Sequence, residues 1–156
     1  MVSLTSMPDS EFHTFAAEAI ARNADICVRS GRWPSATALE RSRAEMNRLL
    51  PQGMLTPAHY FMNVLDAAGN AVGTLWWGIL ERTSWKEAFI YDLHIAAAYR
   101  RKGYAKEALQ WVVLRARELG LDGVSLQVYE QNEVALALYA SSGFFSYSRN
   151  MRRPLG

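Results

Sequence analysis

The sequence predicts an α/β fold in which a mixed, mostly antiparallel sheet of six to seven strands is flanked by about four helices. Between residues 60 and 95, three runs of alternating apolar and polar residues are separated by short turns, which indicates an antiparallel meander. An apolar stripe at helical spacing follows from Ala105 to Leu119, and Gly120 is placed to end that helix. Residues 124–128 then alternate as a strand. This strand–helix–strand order predicts one parallel crossover.

One strand and two helices are predicted before the meander. Val2 to Ser6 is long enough for a short strand. Ser6-Met7-Pro8-Asp9 has the residue types of a helix start, and apolar residues at helical spacing extend that helix toward Arg29. Ser35 is placed to begin a second helix, which Pro51-Gln52-Gly53 ends.

The meander and the C-terminal elements follow from the same periodicities. The three meander strands are predicted at Tyr60 to Asp66, Val72 to Glu81 and Ala88 to Ile95. Regular alternation in the third strand predicts two faces, one with Phe89, Tyr91, Leu93 and Ile95 and the other with Ile90, Asp92 and His94. Asn132 to Ser142 is predicted as a short helix and Phe144 to Met151 as a final strand.

Length, charge and cysteine content restrict the class of protein. The 156 residues fit a single domain, 1–156, whose core needs no disulfide or metal. A formal net charge of +2 gives no support for a nucleic-acid partner. Cys27 is the single cysteine, and no Cys/His spacing indicates a metal site. We find no secretory signal and no apolar run long enough for a bilayer, so we expect a cytoplasmic protein with no membrane partner.

A basic turn precedes the long helix and is the most informative local feature. It reads Arg100-Arg101-Lys102-Gly103-Tyr104-Ala105. The first amides of a helix have no internal partner and carry the positive end of the helix dipole. Because Gly103 allows close backbone approach, the turn can hold a pyrophosphate, with Lys106 adding further positive charge. The turn lacks the glycines of a dinucleotide fingerprint and the Gly-Lys-Ser/Thr of a Walker loop, and alone it also fits a solvated helix start.

A second motif, Asn132-x-x-Ala135-x-x-Leu138-Tyr139-x-x-x-Gly143-Phe144, follows the next strand. Asn132 and Tyr139 are seven residues apart, so both project from one helix face. With both motifs present, the chain resembles the GCN5-related N-acetyltransferase (GNAT) superfamily, most closely from about Val72 onward. Arg100-x-x-Gly103-x-Ala105 is similar to its acyl-CoA pyrophosphate loop, with Ala where Gly is commoner. The resemblance implies a GNAT-like sheet with a splayed parallel pair, and an acyl-CoA N-acyltransferase.

The resemblance also implies where acetyl-CoA, a cosubstrate, would bind. The strand Tyr91 to Ile95 would splay at a bulge from its parallel neighbour, Val124 to Tyr129. Pantetheine would contact the backbone of Leu93, His94 and Ile95, and the Leu93 amide would stabilise the oxyanion. The turn would hold the pyrophosphate, and Asn132 would contact the cofactor or order the loop. The implied cofactor-binding residues are Leu93, His94, Ile95, Arg100, Arg101, Lys102, Gly103, Tyr104, Ala105, Lys106, Asn132 and Tyr139.

Three residues are implied in catalysis: Tyr139, Leu93 and Asp92. Tyr139 would be the general acid for the departing thiolate, since a phenol can donate to a thiolate whose conjugate acid has a pKa of about 8.5. Packing on an apolar helix face is the alternative role for Tyr139. Phe89 stands where several relatives have a glutamate base. Asp92, on the same face of the strand as His94, is the candidate base; either residue could act through a water, and Glu87 and Glu130 are weaker candidates. A structural hydrogen bond in the sheet is the alternative role for Asp92.

Because no motif-placed nucleophile is present, we expect direct transfer of the acetyl group to an amine in a ternary complex. Two other functions stay open at this point: a non-catalytic acyl-CoA-binding module of the same fold, and a nucleic-acid-binding domain that uses the Arg100 to Lys102 patch. The acceptor would be a small-molecule or peptide amine, which the sequence does not identify. A homodimer is expected from the resemblance.

Overall fold

A computed structural model describes all residues, 1–156, and shows five strands and four α-helices around one sheet. The strands are β1 Ser3–Ser6, β2 His59–Leu65, β3 Ala71–Arg82, β4 Trp85–Ile95 and β5 Gly123–Leu126. The helices are α1 Asp9–Arg29, α2 Ser35–Leu49, α3 Tyr104–Glu118 and α4 Glu133–Ser141. Short 3₁₀ turns lie at Gly53–Leu55 and Ala97–Tyr99.

The sheet has the predicted mixed topology. Its strand order is β1-β2-β3-β4-β5, and the first four strands pair antiparallel in sequence order. The pairing of β4 with β5 is parallel and joins Glu87–Ile90 to Gly123–Leu126. Helix α3 is the crossover between these two strands, so the predicted parallel crossover is confirmed.

Two apolar clusters hold helices on opposite faces of the sheet. Trp76 packs with residues of α1 and α2, including Phe15 and Met46. The adjacent Trp77 packs in the other cluster with α3 residues such as Leu109. Successive side chains of a strand point to opposite faces, which is why two neighbouring tryptophans anchor different helical layers. No helix in the chain is both long enough and apolar enough to cross a membrane.

A β-bulge in β4 corrects the two faces predicted for this strand. Trp76 pairs with Asp92 while Trp77 pairs with Ile90, so Tyr91 is an extra residue without a partner on β3. The extra residue reverses the alternation beyond it. As a result Ile90 and Leu93, which were predicted on opposite faces, both pack against the α3-side core, whereas Tyr91 packs on the α1 side.

The predicted final strand from Phe144 to Met151 is wrong, which is why the sheet has five strands rather than six to seven. No backbone amide after Phe144 donates to a backbone carbonyl. The segment is held by side chains instead, through an Arg149–Glu130 ion pair of 2.9 Å and a 2.7 Å hydrogen bond from Arg152 Nη1 to the Arg32 carbonyl. The segment alternates apolar and polar residues, but no neighbouring strand pairs with it.

Candidate active site

A gap opens between β4 and β5 immediately beyond the bulge. The parallel ladder ends at the Ile90–Leu126 pair, although β4 continues to Ile95. The Ala96 amide donates to the Val72 carbonyl on the β3 side. Because amide directions alternate along a strand, the amides of Leu93 and Ile95 point away from β3, toward the gap. The bulge and the splay expected at Tyr91 to Ile95 are both present.

The turn between β4 and α3 presents unpaired amides. Those of Arg101, Lys102 and Gly103 donate to no backbone carbonyl, and all three residues are exposed. Arg101 has φ +62° and Gly103 has φ +84°, both in the left-handed region. A left-handed conformation costs a non-glycine residue about 1–2 kcal/mol, so the fold keeps Arg101 under strain in this turn. The space where a Gly103 side chain would lie has no atom within 4 Å, so a ligand can approach the backbone there.

The charged residues of the turn divide into two groups. Arg100 donates from Nε to the Ile95 carbonyl at 3.0 Å, so its side chain folds back onto the end of β4. Arg101, Lys102 and Lys106 are exposed and form no ion pair within the chain, and Lys102 Nζ lies 5.7 Å from the centre of the Tyr99 ring. Three free cations and open helix amides together suit a ligand with several negative charges.

Tyr104 and Ala105 contribute their backbone amides to this turn. Both are half-buried, and the Tyr104 side chain packs against the α3-side core. Their amides belong to the first turn of α3, where no internal acceptor is available. A ligand at the helix start would therefore meet their amides rather than their side chains.

Helix α4 carries Tyr139, which packs against the α3-side core, and has Asn132 at its start. The Asn132 Oδ1 atom accepts a 3.2 Å hydrogen bond from the Ala135 amide, so this residue caps the helix. The Tyr139 ring lies 5.9 Å from the ring of Phe144, and its hydroxyl has no hydrogen-bond partner in the chain. Burial, and then the negative charge of Asp92, raise the pKa of Tyr139. The phenol therefore stays protonated at neutral pH.

Asp92 lies on the α1 side of β4 and is paired with a cation. Arg22 Nη2 of α1 donates to Asp92 Oδ2 at 2.9 Å, and both side chains are largely buried, with exposures of 24% and 20%. Glu18 lies 4.0 Å from the same guanidinium. Arg22 could not be predicted from the sequence, because seventy residues separate it from Asp92 and no local pattern connects them.

His94 points away from the gap on the same side of the sheet as α1. Its side chain lines a cavity of about 450 Å³ together with Glu18, Asn63, Thr74 and Arg100. Burial and the nearby charge of Arg22 lower the pKa of His94. Its imidazole is thus neutral at pH 7, and its backbone amide, between those of Leu93 and Ile95, points toward β3 and not toward the gap, so the pantetheine contact implied for the His94 backbone does not involve this amide.

A polar cluster that the sequence analysis also missed ties the α1–α2 loop to the chain beyond β5. Arg32 donates from Nη1 to the Tyr129 hydroxyl at 3.2 Å and from Nη2 to Glu45 at 2.6 Å. The buried Cys27 thiol lies 3.6 Å from the same hydroxyl. These contacts tie the loop to the chain that diverges from β4 beyond β5.

The position where a glutamate base is common carries an aromatic cluster. Phe89 lies 4.7 Å from Tyr91, ring centre to ring centre, and Tyr91 stacks on Trp76 at the same distance. The nearby Glu87 carboxylate is buried and accepts hydrogen bonds from Trp85 Nε1 and Arg82 Nε, at 2.7 and 3.0 Å. These partners, after the opposing effect of burial, lower the pKa of Glu87, so it is a structural carboxylate.

Comparison with known proteins identifies the family of the chain. A sequence model described as the acetyltransferase (GNAT) family matches residues 27–144. The chain is 35% identical over 153 residues to the uncharacterized N-acetyltransferase YdgE of Bacillus subtilis (strain 168), covering 98% of each chain. It is 34% identical over 143 residues to the uncharacterized N-acetyltransferase YycN of the same organism, covering 92% of each.

The crystal structure of the putative acetyltransferase YycN from Bacillus subtilis superposes on the chain with a TM-score of 0.92. The two chains are 33% identical in that comparison, which covers 99% of each. Similarity in sequence and in fold therefore extends over nearly the whole chain, including the N-terminal half that the two motifs do not reach. The chain belongs to the GNAT family of acetyltransferases.

Proposed function

We propose that the protein transfers the acetyl group of acetyl-CoA to an amine by direct attack in a ternary complex. The observation that carries this proposal is the gap beyond the β4–β5 ladder, and three features of the chain support its use as an acetyl-CoA site. These are the outward amides of β4, the open amides of the turn before α3, and the hydroxyl of Tyr139. Acetyl-CoA supplies an activated thioester when bound, and its diphosphate matches the charge of the turn.

The turn and the strand edge would divide the binding between them. The amides of Arg101 to Lys106 donate to the diphosphate oxygens, while Arg101, Lys102 and Lys106 add positive charge. The amides of Leu93 and Ile95 pair with the pantetheine arm as a neighbouring strand would. The Leu93 amide donates to the thioester carbonyl oxygen, where negative charge develops during attack. A fixed donor at such an oxygen contributes about 3 kcal/mol in other acyl-transfer sites.

Tyr139 would protonate the sulfur as the thiolate departs. Its phenol is neutral at physiological pH because burial and the Asp92 charge raise its pKa, and its hydroxyl has no competing partner in the chain. No side chain of the gap needs to form a bond to the acetyl group. The buried Cys27 thiol is held among Tyr129 and Arg32 instead of facing the gap as a nucleophile.

Asp92 would take the proton that the amine must lose before it attacks. It is the carboxylate whose charge is felt at Tyr139, and Arg22 holds it in one position. The same ion pair favours a second candidate function, a non-catalytic acyl-CoA-binding module, because Arg22 occupies the Asp92 Oδ2 atom that would otherwise be free to meet the amine. Phe89 in place of a glutamate favours that alternative as well.

Thiol release from acetyl-CoA tests the proposal, with amino acids, polyamines, aminoglycosides, peptide N-termini and lysine peptides as acceptors. We expect turnover with at least one amine class and saturable binding of acetyl-CoA by calorimetry. Replacing Tyr139 by Phe should lower kcat at least about tenfold and leave the Kd for acetyl-CoA within about twofold. Tyr60→Phe, on the surface of β2, is the matched control. Binding without turnover across the panel would favour the module, and absence of binding would refute both.

A further inference from the structure

Arg22 lies between two carboxylates but forms a close hydrogen bond with only one of them. Its Nη2 atom donates to Asp92 Oδ2 at 2.9 Å, whereas its Nη1 atom lies 4.0 Å from Glu18 Oε2. Its Nε atom is buried and has no partner in the chain. A guanidinium carries several N–H donors, and this close contact uses a single one. The contact with Asp92 therefore leaves most of the hydrogen-bonding capacity of Arg22 unused.

Glu18 is placed to accept the same guanidinium. The two residues form an i,i+4 pair on α1, so Glu18 lies one turn before Arg22 on the same helix face. A shift of about 1 Å would shorten the 4.0 Å separation to that of a charge-assisted hydrogen bond. Glu18 has no other ion-pair partner, and it lines the cavity of about 450 Å³ beside His94, so open space adjoins it.

The other ionisable groups near Asp92 do not compete for this exchange. His94 lies on the same face of β4 and is neutral at pH 7, because burial and then the charge of Arg22 lower its pKa. The Arg100 side chain is bonded to the backbone at the end of β4. Arg22 is therefore the cation paired with Asp92, and Glu18 is the carboxylate within reach that can take it over.

We propose that Glu18 is a positioning residue that receives Arg22 when the acceptor amine reaches Asp92. The inference rests on the proposed acetyl transfer. An ordinary alkyl amine arrives as an ammonium at neutral pH, so one cation replaces another at Asp92 Oδ2. Arg22 moves to Glu18, and Asp92 takes a proton from the ammonium, which leaves a neutral amine to attack the thioester.

The protons of this step balance. Asp92 releases the proton that it has taken to solvent after the transfer. The nitrogen loses a second proton when it becomes an amide, and this proton replaces the one that Tyr139 gives to the departing sulfur. Glu18 exchanges no proton and touches neither substrate, so its effect acts only through Arg22.

Steady-state kinetics of Glu18→Gln and Glu18→Lys test the inference, with acetyl-CoA and the amine of the acceptor panel that the parent chain acetylates fastest. Because Arg22 then stays on Asp92, kcat should fall about threefold in Glu18→Gln and about tenfold in Glu18→Lys, whose new charge repels the guanidinium. The Kd for acetyl-CoA should stay within about twofold, since neither change touches the cofactor gap. Circular dichroism checks that each variant is folded.

Asp25→Asn and Asp25→Lys are the matched controls. Asp25 forms the same i,i+4 pair with Arg29 on α1, and its side chain is 65% exposed, as is that of Glu18. Arg29 has no second carboxylate partner, so both controls should keep the kcat of the parent chain. A kcat in Glu18→Lys equal to that of Asp25→Lys would overturn the inference.

Repeating the Glu18→Lys change in the Arg22→Gln chain separates this role from a direct contact with the acceptor. Without a guanidinium to move, the change should alter kcat less than about twofold, because the two residues act through one contact. If Glu18 instead bound a second ammonium of the acceptor, its effect would persist in the Arg22→Gln chain and the inference would be overturned. A parent chain that acetylates no amine would refute the proposed function as well, which distinguishes the two failures.

Discussion

Arg22 Nη2 lies 2.9 Å from Asp92 Oδ2 and joins helix α1 to the bulged part of β4, and the charge of the same Asp92 acts on the neutral phenol of Tyr139. The contact holds in place the carboxylate whose charge, after burial, raises the pKa of Tyr139. The pair occupies the face of the sheet opposite α3. The first prediction concerns what removal of the Asp92 charge does to Tyr139.

Replacing Asp92 by Asn should move the alkaline limb of the kcat profile to lower pH. The raised pKa of Tyr139 keeps the acid protonated, and activity is lost as pH rises through that pKa. The Asp92 charge is one of the two causes of the raised Tyr139 pKa, so without this charge the loss of activity should begin at lower pH. We also expect kcat at neutral pH to fall at least about tenfold if Asp92 accepts the amine proton. Asp25→Asn, which breaks the exposed Arg29–Asp25 pair, is the control. An unchanged limb in Asp92→Asn would contradict the coupling.

Gly103→Ala should weaken acetyl-CoA binding and destabilise the fold, whereas Gly120→Ala should only destabilise it. Both glycines have a positive φ, +84° and +67°, and neither has an atom within 4 Å of the added Cβ. Strain should therefore cost each variant about 1–2 kcal/mol in the free energy of unfolding. Only Gly103 lies where a diphosphate would approach, so calorimetry should show at least about a tenfold rise in Kd for Gly103→Ala alone. Equal affinities would argue against this turn as the anion site.

Arg101→Gly should be more stable than Arg101→Ala, by about 1 kcal/mol in the free energy of unfolding, because glycine relieves the left-handed strain at φ +62°. Both variants lose the same positive charge, so both should bind acetyl-CoA more weakly than the parent chain. Urea denaturation measures the first quantity and calorimetry the second. If alanine and glycine give equal stability, the left-handed conformation at this position is not a source of strain.

His59 should make the fold sensitive to acid. Trp76 Nε1 donates to His59 Nδ1 at 3.1 Å, which requires that this nitrogen is unprotonated, and burial lowers the pKa of His59. A histidine with a lowered pKa contributes stability that is complete above its unfolded pKa, about 6.5, and is lost as pH falls through its folded value. The decrease in Tm from pH 7.5 to 5.5 (about one unit either side of 6.5) should be smaller in His59→Gln. His13→Gln, on the exposed side of α1, should behave as the parent.

The order of the elements and the two cofactor motifs could be predicted because their signals are local. Periodicity over about ten residues predicts the three meander strands and the long helix, and the turn residues from Arg100 to Gly103 identify the start of that helix. The faces of β4 could not be predicted, because the bulge at Tyr91 depends on its register with Trp76 and Trp77. A strand beyond Phe144 was predicted from alternation alone, and alternation does not supply a pairing partner.

The remaining site residues were missed because their contacts join distant parts of the chain. Arg22 meets Asp92 seventy positions away, and Arg32 meets Tyr129 across 97. Neither pair has a spacing that a helix or strand period would reveal. By contrast, Asn132 and Ala135 are three residues apart, and their capping contact is readable as a helix start.

The most direct test of the account follows backbone amide resonances during addition of acetyl-CoA to ¹⁵N-labelled protein. The largest shift changes are expected at Leu93, Ile95 and Arg101 to Ala105, with little change in the amides of α2. Saturation at one ligand per chain would agree with the gap as the cofactor site. The proposed site is contradicted if the amide resonances of Arg101 to Gly103 do not shift while the ligand shifts resonances elsewhere. It is also contradicted if no resonance shifts at about millimolar ligand.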